Sequence, residues 1–192
     1  ENAFRDVNIA FANELSMICD ELDINSNELI NLTNKHPRVN ILHPGCGVGG
    51  HCIAIDPWFI VNTTKNSLLI KTARDVNNKK AEWVLDKIVK EGKRLESQMQ
   101  RRLIIGFFGL AFKPNIDDLR ESPAVEITKR TIEKGFSTLI CEPNIKNHNH
   151  LDIKPINEVI AKSDLLVFLV AHEEFKNIEL GDKKYLDFCG VI

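Results

Sequence analysis

The chain has 192 residues, of which 43% are hydrophobic, so it is long enough and apolar enough for one large domain or two small ones. Its 27 acidic and 25 basic residues nearly balance, which argues against a nucleic acid or an anionic membrane as the main partner. No apolar run approaches the ~20 residues that cross a bilayer, and five scattered cysteines suit a reducing compartment, so a cytoplasmic protein is expected.

The first hundred residues have helical periodicity. A first helix is predicted from Phe4 to Leu22, a shorter one from Ser26 to about Asn34, a third from Pro57 to Val61, and a long one from Leu68 to about Gln98. The expected apolar face of the first helix consists of Phe4, Val7, Ile9, Phe11, Leu15, Ile18, Cys19 and Leu22. Because the chain begins at Glu1 inside such a pattern, without methionine, we expect a fragment.

The pattern changes at Leu103, where short apolar runs begin to alternate with helical segments. Strands are predicted at 103–108, 138–141 and 165–170, and helices at 122–134 and 156–162. Strand and helix in alternation indicate a parallel sheet with crossover connections. The predicted fold is therefore mixed, with an all-α segment over residues 1–100 followed by an α/β Rossmann-like parallel-sheet domain over residues 101–192.

The stretch from Gly45 to Cys52, Gly-Cys-Gly-Val-Gly-Gly-His-Cys, is the most distinctive motif. Four glycines in six positions indicate that something approaches the backbone closely. In one interpretation Cys52 is a nucleophile, favoured by His51 and by a nearby helix start, with Asp56 one helical turn away if the helix begins early. Asp56-Pro57 has the residue types of a helix N-cap followed by the first helical position.

Two other interpretations of this loop stay open. Zinc could be bound by His43, Cys46, His51 and Cys52, although adjacent His51 and Cys52 do not easily occupy two corners of one tetrahedron. The loop could also be a structural glycine turn with a buried cysteine, because a free cysteine is mostly a small hydrophobe.

The segment after the first predicted strand, Gly109 to Ser122, lies where ligands bind in sheets of this kind. Lys113 and Arg120 could meet phosphate oxygens, and Phe112 offers a face for a base or ribose. Alternatively, Lys113 and Arg120 pair with Asp117 and Asp118 in a solvated loop. A G-x-G-x-x-G fingerprint is absent here, so this domain is not expected to bind NAD.

Three further residues have both a functional and a structural interpretation. Arg38 could clamp a phosphate, or it could be a surface arginine. Asn2 could donate to an oxyanion, or it could cap a helix. Glu142 follows the second strand, where dinucleotide-binding folds place a ribose-binding acid, while a plain turn explains it equally well.

Three stretches in order, Asn2 to Glu14, His43 to Ile60 and Gly109 to Ala124, resemble the UDP-glucose/GDP-mannose dehydrogenase family. The resemblance covers essentially the whole chain. Members of that family have an N-terminal NAD-binding domain, a central helical dimerisation segment and a C-terminal UDP-binding domain. The resemblance implies that residues 1–100 are the dimerisation segment of a homodimer, that residues 101–192 bind UDP, and that NAD is bound mainly by a domain preceding Glu1.

The resemblance also assigns roles to residues of the glycine loop and its surroundings. Cys52 would be the nucleophile that oxidises the C6 alcohol of a UDP-sugar to a carboxylate, through a thiohemiacetal and a thioester, with two NAD⁺ reduced. Asp56 would act on the hydrolytic water, and Asn2 would steady the oxyanion together with an upstream lysine that this chain does not contain. Cys46 is interpreted as loop packing, and no metal is expected.

Substrate contacts follow from the same resemblance. Gly49 would contact the sugar through its backbone, and Arg38 would reach the nucleotide across the dimer interface. UDP would be held by Phe112, Lys113 and Arg120. The expected substrate is UDP-N-acetyl-D-mannosamine, with UDP-N-acetylglucosamine or UDP-glucose as alternatives. A catalytically silent UDP-sugar-binding or dimerisation module is the alternative from another functional class.

Overall fold

The computed structural model describes residues 1–145 and 151–192. The N-terminal half is helical, as predicted, and the C-terminal half combines a sheet with helices. The helices are α1 (Asn2–Glu21), α2 (Ser26–Thr33), α3 (Asp56–Thr63), α4 (Leu68–Met99), α5 (Pro123–Glu133) and α6 (Ile156–Lys162). The strands are β1 (Ile104–Phe108), β2 (Ser137–Cys141), β3 (Leu165–Phe168) and β4 (Lys184–Asp187). Within the described residues, no helix has the length and apolar composition that crossing a bilayer requires.

The face of α1 that packs against α4 is not the apolar face expected from the sequence. Its buried residues are small or polar: Asp6, Ala10, Ala12, Asn13, Ser16 and Cys19. Of the predicted apolar face only Cys19 is buried, whereas Phe4, Phe11, Ile18 and Leu22 have 73%, 56%, 47% and 62% of their surface exposed. Helical periodicity locates an apolar face but does not identify what covers it. An apolar stripe along α1 is therefore uncovered within the described chain.

The predicted parallel sheet is confirmed, with strand order β2-β1-β3-β4 and every neighbouring pair parallel. The fourth strand was not predicted, because Lys184 and Tyr185 are exposed and the segment lacks the apolar run of a central strand. It is an edge strand, held by its pairing with β3. The helix predicted over residues 122–134 is found as α5, and Gly135, just after it, has a left-handed backbone with φ +90°.

Both faces of the sheet are covered by apolar clusters. On one face, Ile105 and Phe107 pack with Val84 and Ile88 of α4. On the other face, Phe108 packs with Val159 of α6 and with the chain beyond β3. Because α4 packs against both α1 and the sheet cluster, it fixes the helical half relative to the sheet. The glycine loop lies between these two halves, where it meets the segment that follows β1.

Candidate active site

The glycine loop packs directly on the chain between Phe112 and Pro123. A Cβ atom added to Gly49 would lie 2.4 Å from the carbonyl oxygen of Glu121 and 2.9 Å from the Cβ of Phe112. Gly50 has φ +83° and faces the Phe112 ring, and its N–H donates to the carbonyl of Arg120 at 3.1 Å. The close approach predicted for these glycines is therefore made by the protein's own chain.

Cys52, Asp56 and Asn2 lie together at the far end of the loop. The Asp56 N–H donates to the Cys52 carbonyl at 2.8 Å, so the two residues are one helical turn apart, as predicted. The side-chain amide of Asn2 donates to Oδ2 of Asp56 at 2.6 Å, across 54 residues of sequence. The expected N-cap role of Asp56 is wrong, because α3 begins at Asp56 itself, after Ile55, without a side-chain cap. Its carboxylate is instead directed towards Asn2.

Cys52 is exposed, whereas the other four cysteines are buried. The side chain of Arg120 forms a fork with the Asp118 carboxylate, with 2.6 Å between its Nη2 and Oδ2 of Asp118. This pair raises the pKa of Arg120, and the negative charge of a Cys52 thiolate is a smaller contribution in the same direction. The self-paired interpretation of this loop is thus correct for Arg120 and Asp118, and the guanidinium also lies within electrostatic reach of the candidate nucleophile.

A cavity of about 330 Å³ opens between the start of the glycine loop and the carboxyl ends of β1 and β3. Phe112 and Lys113 line it, as does Arg5 of α1, which the sequence analysis did not single out. No acidic residue lies among its described lining residues, and neither cation has an ion-pair partner in the described chain. The remaining wall is largely apolar. The cavity is therefore suited to a ligand with an anionic part and a planar or apolar part.

Glu142 holds the start of the loop that carries Phe112 and Lys113. Oε2 of this buried carboxylate accepts hydrogen bonds from the N–H groups of Leu110 at 2.6 Å and Ala111 at 3.0 Å. It also lies 3.1 Å from Nε2 of His172, which is equally buried. Burial alone would raise the pKa of Glu142, but the hydrogen bonds from His172 and Leu110 outweigh it and the net pKa is lowered. Neither interpretation from the sequence, ribose binding or a plain turn, accounts for this role.

The remaining sequence-predicted residues lie elsewhere. Arg38 is exposed in the loop between α2 and the glycine loop, and no hydrogen bond or ion pair of its guanidinium is present in the described chain. Cys46 is buried, and burial raises the pKa of its thiol to about 12, which agrees with a packing role. Across residues 1–145 and 151–192, no three His, Cys, Asp or Glu side chains are grouped as metal ligands would be. The zinc interpretation of the loop therefore finds no support.

Comparison with known proteins adds a sequence relationship to this geometry. A model of the central domain of the UDP-glucose/GDP-mannose dehydrogenase family matches residues 1–79, and a model of the family's UDP-binding domain matches residues 106–187. The chain belongs to the UDP-glucose/GDP-mannose dehydrogenase family. The matched ranges include the glycine loop and the segment that packs on it, so both halves of the candidate site lie in family domains.

Individual members of the family are also similar to the chain. UDP-N-acetyl-D-mannosamine dehydrogenase of Campylobacter jejuni is 50% identical, over 98% of this chain and 47% of that protein. NDP-N-acetyl-D-galactosaminuronic acid dehydrogenase of Ralstonia solanacearum is 50% identical, over 93% of this chain and 43% of that protein. The solved structure of UDP-D-ManNAc dehydrogenase from Pyrococcus horikoshii is 31% identical with a TM-score of 0.85, covering all of this chain and 47% of that one. The chain thus spans about half the length of these relatives.

Proposed function

We propose that the chain is the catalytic and UDP-binding portion of a nucleotide-sugar 6-dehydrogenase, with UDP-N-acetyl-D-mannosamine as the substrate and the corresponding uronate as the product. The observation that carries this proposal is the acid-free cavity lined by Arg5, Lys113 and Phe112, next to a glycine loop that presents one exposed thiol. Two cations suit a diphosphate, and an aromatic ring suits a base or ribose. The relatives named for UDP-N-acetyl-D-mannosamine favour this sugar over UDP-glucose.

The proposed chemistry uses the thiol to hold the substrate between two oxidations. After the C6 alcohol has lost a hydride and a proton, the Cys52 thiolate adds to the aldehyde carbon, and the aldehyde oxygen takes up a proton to give a thiohemiacetal. Loss of a second hydride and proton gives a thioester. Water then attacks the thioester carbon, the C–S bond breaks, and the acid leaves while the thiolate is regenerated. Sulfur suits both steps, because it is a strong nucleophile and a good leaving group.

Asp56 and Asn2 are proposed to serve the hydrolytic step. A carboxylate one turn from the thioester can accept a proton from the attacking water. The 2.6 Å hydrogen bond from Asn2 fixes the orientation of this carboxylate. Arg120, whose carbonyl accepts the N–H of Gly50 two residues before Cys52, is proposed to stabilise negative charge close to the reacting carbon. Gly49 keeps its proposed backbone contact to the sugar.

Each oxidation needs a hydride acceptor, which we propose to be NAD⁺. The sheet domain described above does not fit this cofactor, because Glu142 occupies the N–H groups of Leu110 and Ala111 at the end of β1, where dinucleotide-binding folds place a pyrophosphate. We therefore propose that NAD⁺ is bound mainly by residues outside these 192.

We retain the division into two domains, residues 1–100 and residues 101–192, as a proposal. It is supported by the change of element type after α4.

We also propose that two copies associate through the exposed stripe of α1. Phe4, Phe11, Ile18 and Leu22 follow one another at intervals of seven, seven and four residues, so they share one face of the helix. Uncovered apolar side chains in a row are typical of an association surface.

Arg38 is unpaired in the described chain, and its loop is held by two hydrogen bonds between Asn34 and Ile41. We propose that the Arg38 side chain is therefore available to reach the nucleotide of the other copy.

Replacing Phe11 by lysine should weaken this association, because a charge would be placed in the middle of the stripe. Sedimentation velocity of the 192-residue chain should show a dimer for the unchanged protein and a shift towards monomer for Phe11→Lys. A monomer in both cases would contradict the dimer proposal.

Five free cysteines in the structure support a reducing compartment, and we propose the cytoplasm, which cell fractionation would test.

Titration calorimetry of the 192-residue chain with UDP tests the nucleotide site. Lys113→Ala and Arg5→Ala should each weaken UDP binding by about tenfold, which is ~1.4 kcal/mol for one charge-assisted contact. Lys134→Ala, which removes an exposed lysine outside the cavity, should leave the affinity unchanged. Tight binding of NAD⁺ without binding of UDP would contradict the proposed function.

A further inference from the structure

A buried line of polar groups connects α4 to the first residue of the glycine loop. Oδ1 of Asn13 accepts a hydrogen bond from the Gly45 N–H at 2.9 Å, and Nδ2 of Asn13 donates to Oδ1 of Asn77 at 2.9 Å. Nδ2 of Asn77 donates to Oδ1 of Asp6 at 2.8 Å and to its backbone carbonyl at 3.1 Å. Nη1 of Arg74 lies 2.6 Å from the same Oδ1. All four side chains are buried.

The direction of every bond in this line is determined by its charged end. An asparagine amide can be placed either way round, but a carboxylate only accepts and a guanidinium only donates. Because Asp6 can only accept, Asn77 must present its NH₂ to it and its oxygen to Asn13. Asn13 must then present its own NH₂ to Asn77, which leaves its oxygen facing the Gly45 N–H.

The ion pair at this end of the line is not fully satisfied. Oδ2 of Asp6 and Nε of Arg74 are buried and have no hydrogen-bond partner in the described chain. Buried ion pairs often contribute no more stability than well-packed apolar residues of the same volume, and their better-supported use is to specify one arrangement. A directional role explains why a charged residue, Asp6, lies on the small, polar face of α1.

Helix α1 contacts the glycine-loop region at two points. Asn13 holds Gly45 at the start of the loop, and Asn2, one turn before Asp6, holds Asp56 just after the loop. The contacts of Asp6 with Arg74 and Asn77 fix α1 against α4 between these two points. The position of the Cys52 segment is thus determined from both sides by one helix.

We propose that Asn13 is a positioning residue for the Cys52 loop, and that Asp6 acts on the same loop at a distance, through Asn77 and Asn13. The description of this loop as catalytic depends on the proposed function, whereas the control of its position does not. Neither Asn13 nor Asp6 lines the cavity. Gly45 does, but the groups proposed to hold the nucleotide, Arg5, Phe112 and Lys113, lie outside residues 45–52, so loss of Asn13 or Asp6 should affect the presentation of the thiol more than nucleotide binding.

Hydrogen exchange of backbone amides in the 192-residue chain tests the control of position directly. Asn13→Ala and Asp6→Asn should each accelerate amide exchange in residues 45–52 by about tenfold, because each change removes roughly one hydrogen bond that opposes local opening. Exchange in the core of α4, around Ile88, should be much less affected. The matched control is Ser16→Ala, because Ser16 is buried on the same helix face but bonds Lys80 and the Asn13 carbonyl, outside the line.

Either of two exchange results would overturn the proposal. Exchange in residues 45–52 could be unchanged in Asn13→Ala, or it could rise no more than in Ser16→Ala, which would mean that the residue only stabilises the fold. In the full-length enzyme, Asn13→Ala should lower kcat at least tenfold with KM for the UDP-sugar within twofold, and an equal effect on KM would also contradict positioning. If the unchanged full-length protein has no dehydrogenase activity, the proposed function fails while the exchange result still decides the role of Asn13.

Discussion

Replacing Cys52 by serine in the full-length protein should lower uronate production by roughly three orders of magnitude or more, as expected when a covalent nucleophile is removed. A serine hydroxyl has the shape to sit in the same place, but it is a much weaker nucleophile at neutral pH than a thiolate. The loss should lie in kcat, because Cys52 does not line the cavity that is proposed to hold UDP. Steady-state kinetics with UDP-N-acetyl-D-mannosamine and NAD⁺ measures this loss.

The matched control for this variant is Cys19→Ala, which removes a buried thiol from α1 without touching the loop. Turnover should persist in that variant, even if the protein is less stable. Chemical labelling gives a second check, because one exposed and four buried cysteines predict that iodoacetamide modifies Cys52 first in the native chain. Undiminished uronate production by Cys52→Ser would remove this residue from its proposed role, and UDP binding without turnover in the unchanged protein would favour a silent binding module.

The sequence predicted those features of the fold that depend on residues close together in the chain. Helix α6 was predicted over the residues where it is found, because helical character is judged from residues within a few positions of each other. The turn between Cys52 and Asp56 is also local, so a spacing of four residues was sufficient to place them together. The crossover pattern of the sheet domain depends only on the order of its elements.

The features that the sequence did not predict depend on contacts between residues that are far apart in the chain. Asn13 meets Asn77 across 64 residues, and Glu142 meets His172 across 30. A sequence shows that such residues are polar, but it does not show that they are buried. One signal was available for α1, because Asp6, Asn13 and Ser16 share a helix face with Ala10. Polar residues among small ones on one face are typical of a close helix contact with hydrogen bonds across it.

Replacing Gly49 by alanine should disrupt the contact between the glycine loop and the segment after β1. The added Cβ would lie 2.4 Å from the Glu121 carbonyl oxygen and 2.8 Å from Cδ of Pro123, and both are rigid parts of the chain. The loop and the 112–123 segment would have to separate. We expect the free energy of unfolding to fall by roughly 2–3 kcal/mol, the cost typical of overpacking a well-packed site. Turnover should fall by about two orders of magnitude, because a displacement of 1 Å at a catalytic group costs that much.

Gly45→Ala is the matched control, since it lies in the same loop and its added Cβ would meet nothing closer than 3.8 Å. Neither glycine has a left-handed backbone, so the two variants differ in the room available to the added Cβ and not in backbone strain. Urea denaturation of the 192-residue chain should show Gly45→Ala within about 1 kcal/mol of the unchanged protein. If Gly49→Ala is as stable as Gly45→Ala but binds the UDP-sugar less tightly, its role is a backbone contact to the sugar. A loss of stability in Gly49→Ala alone would show that this glycine is required because two segments of the protein meet there.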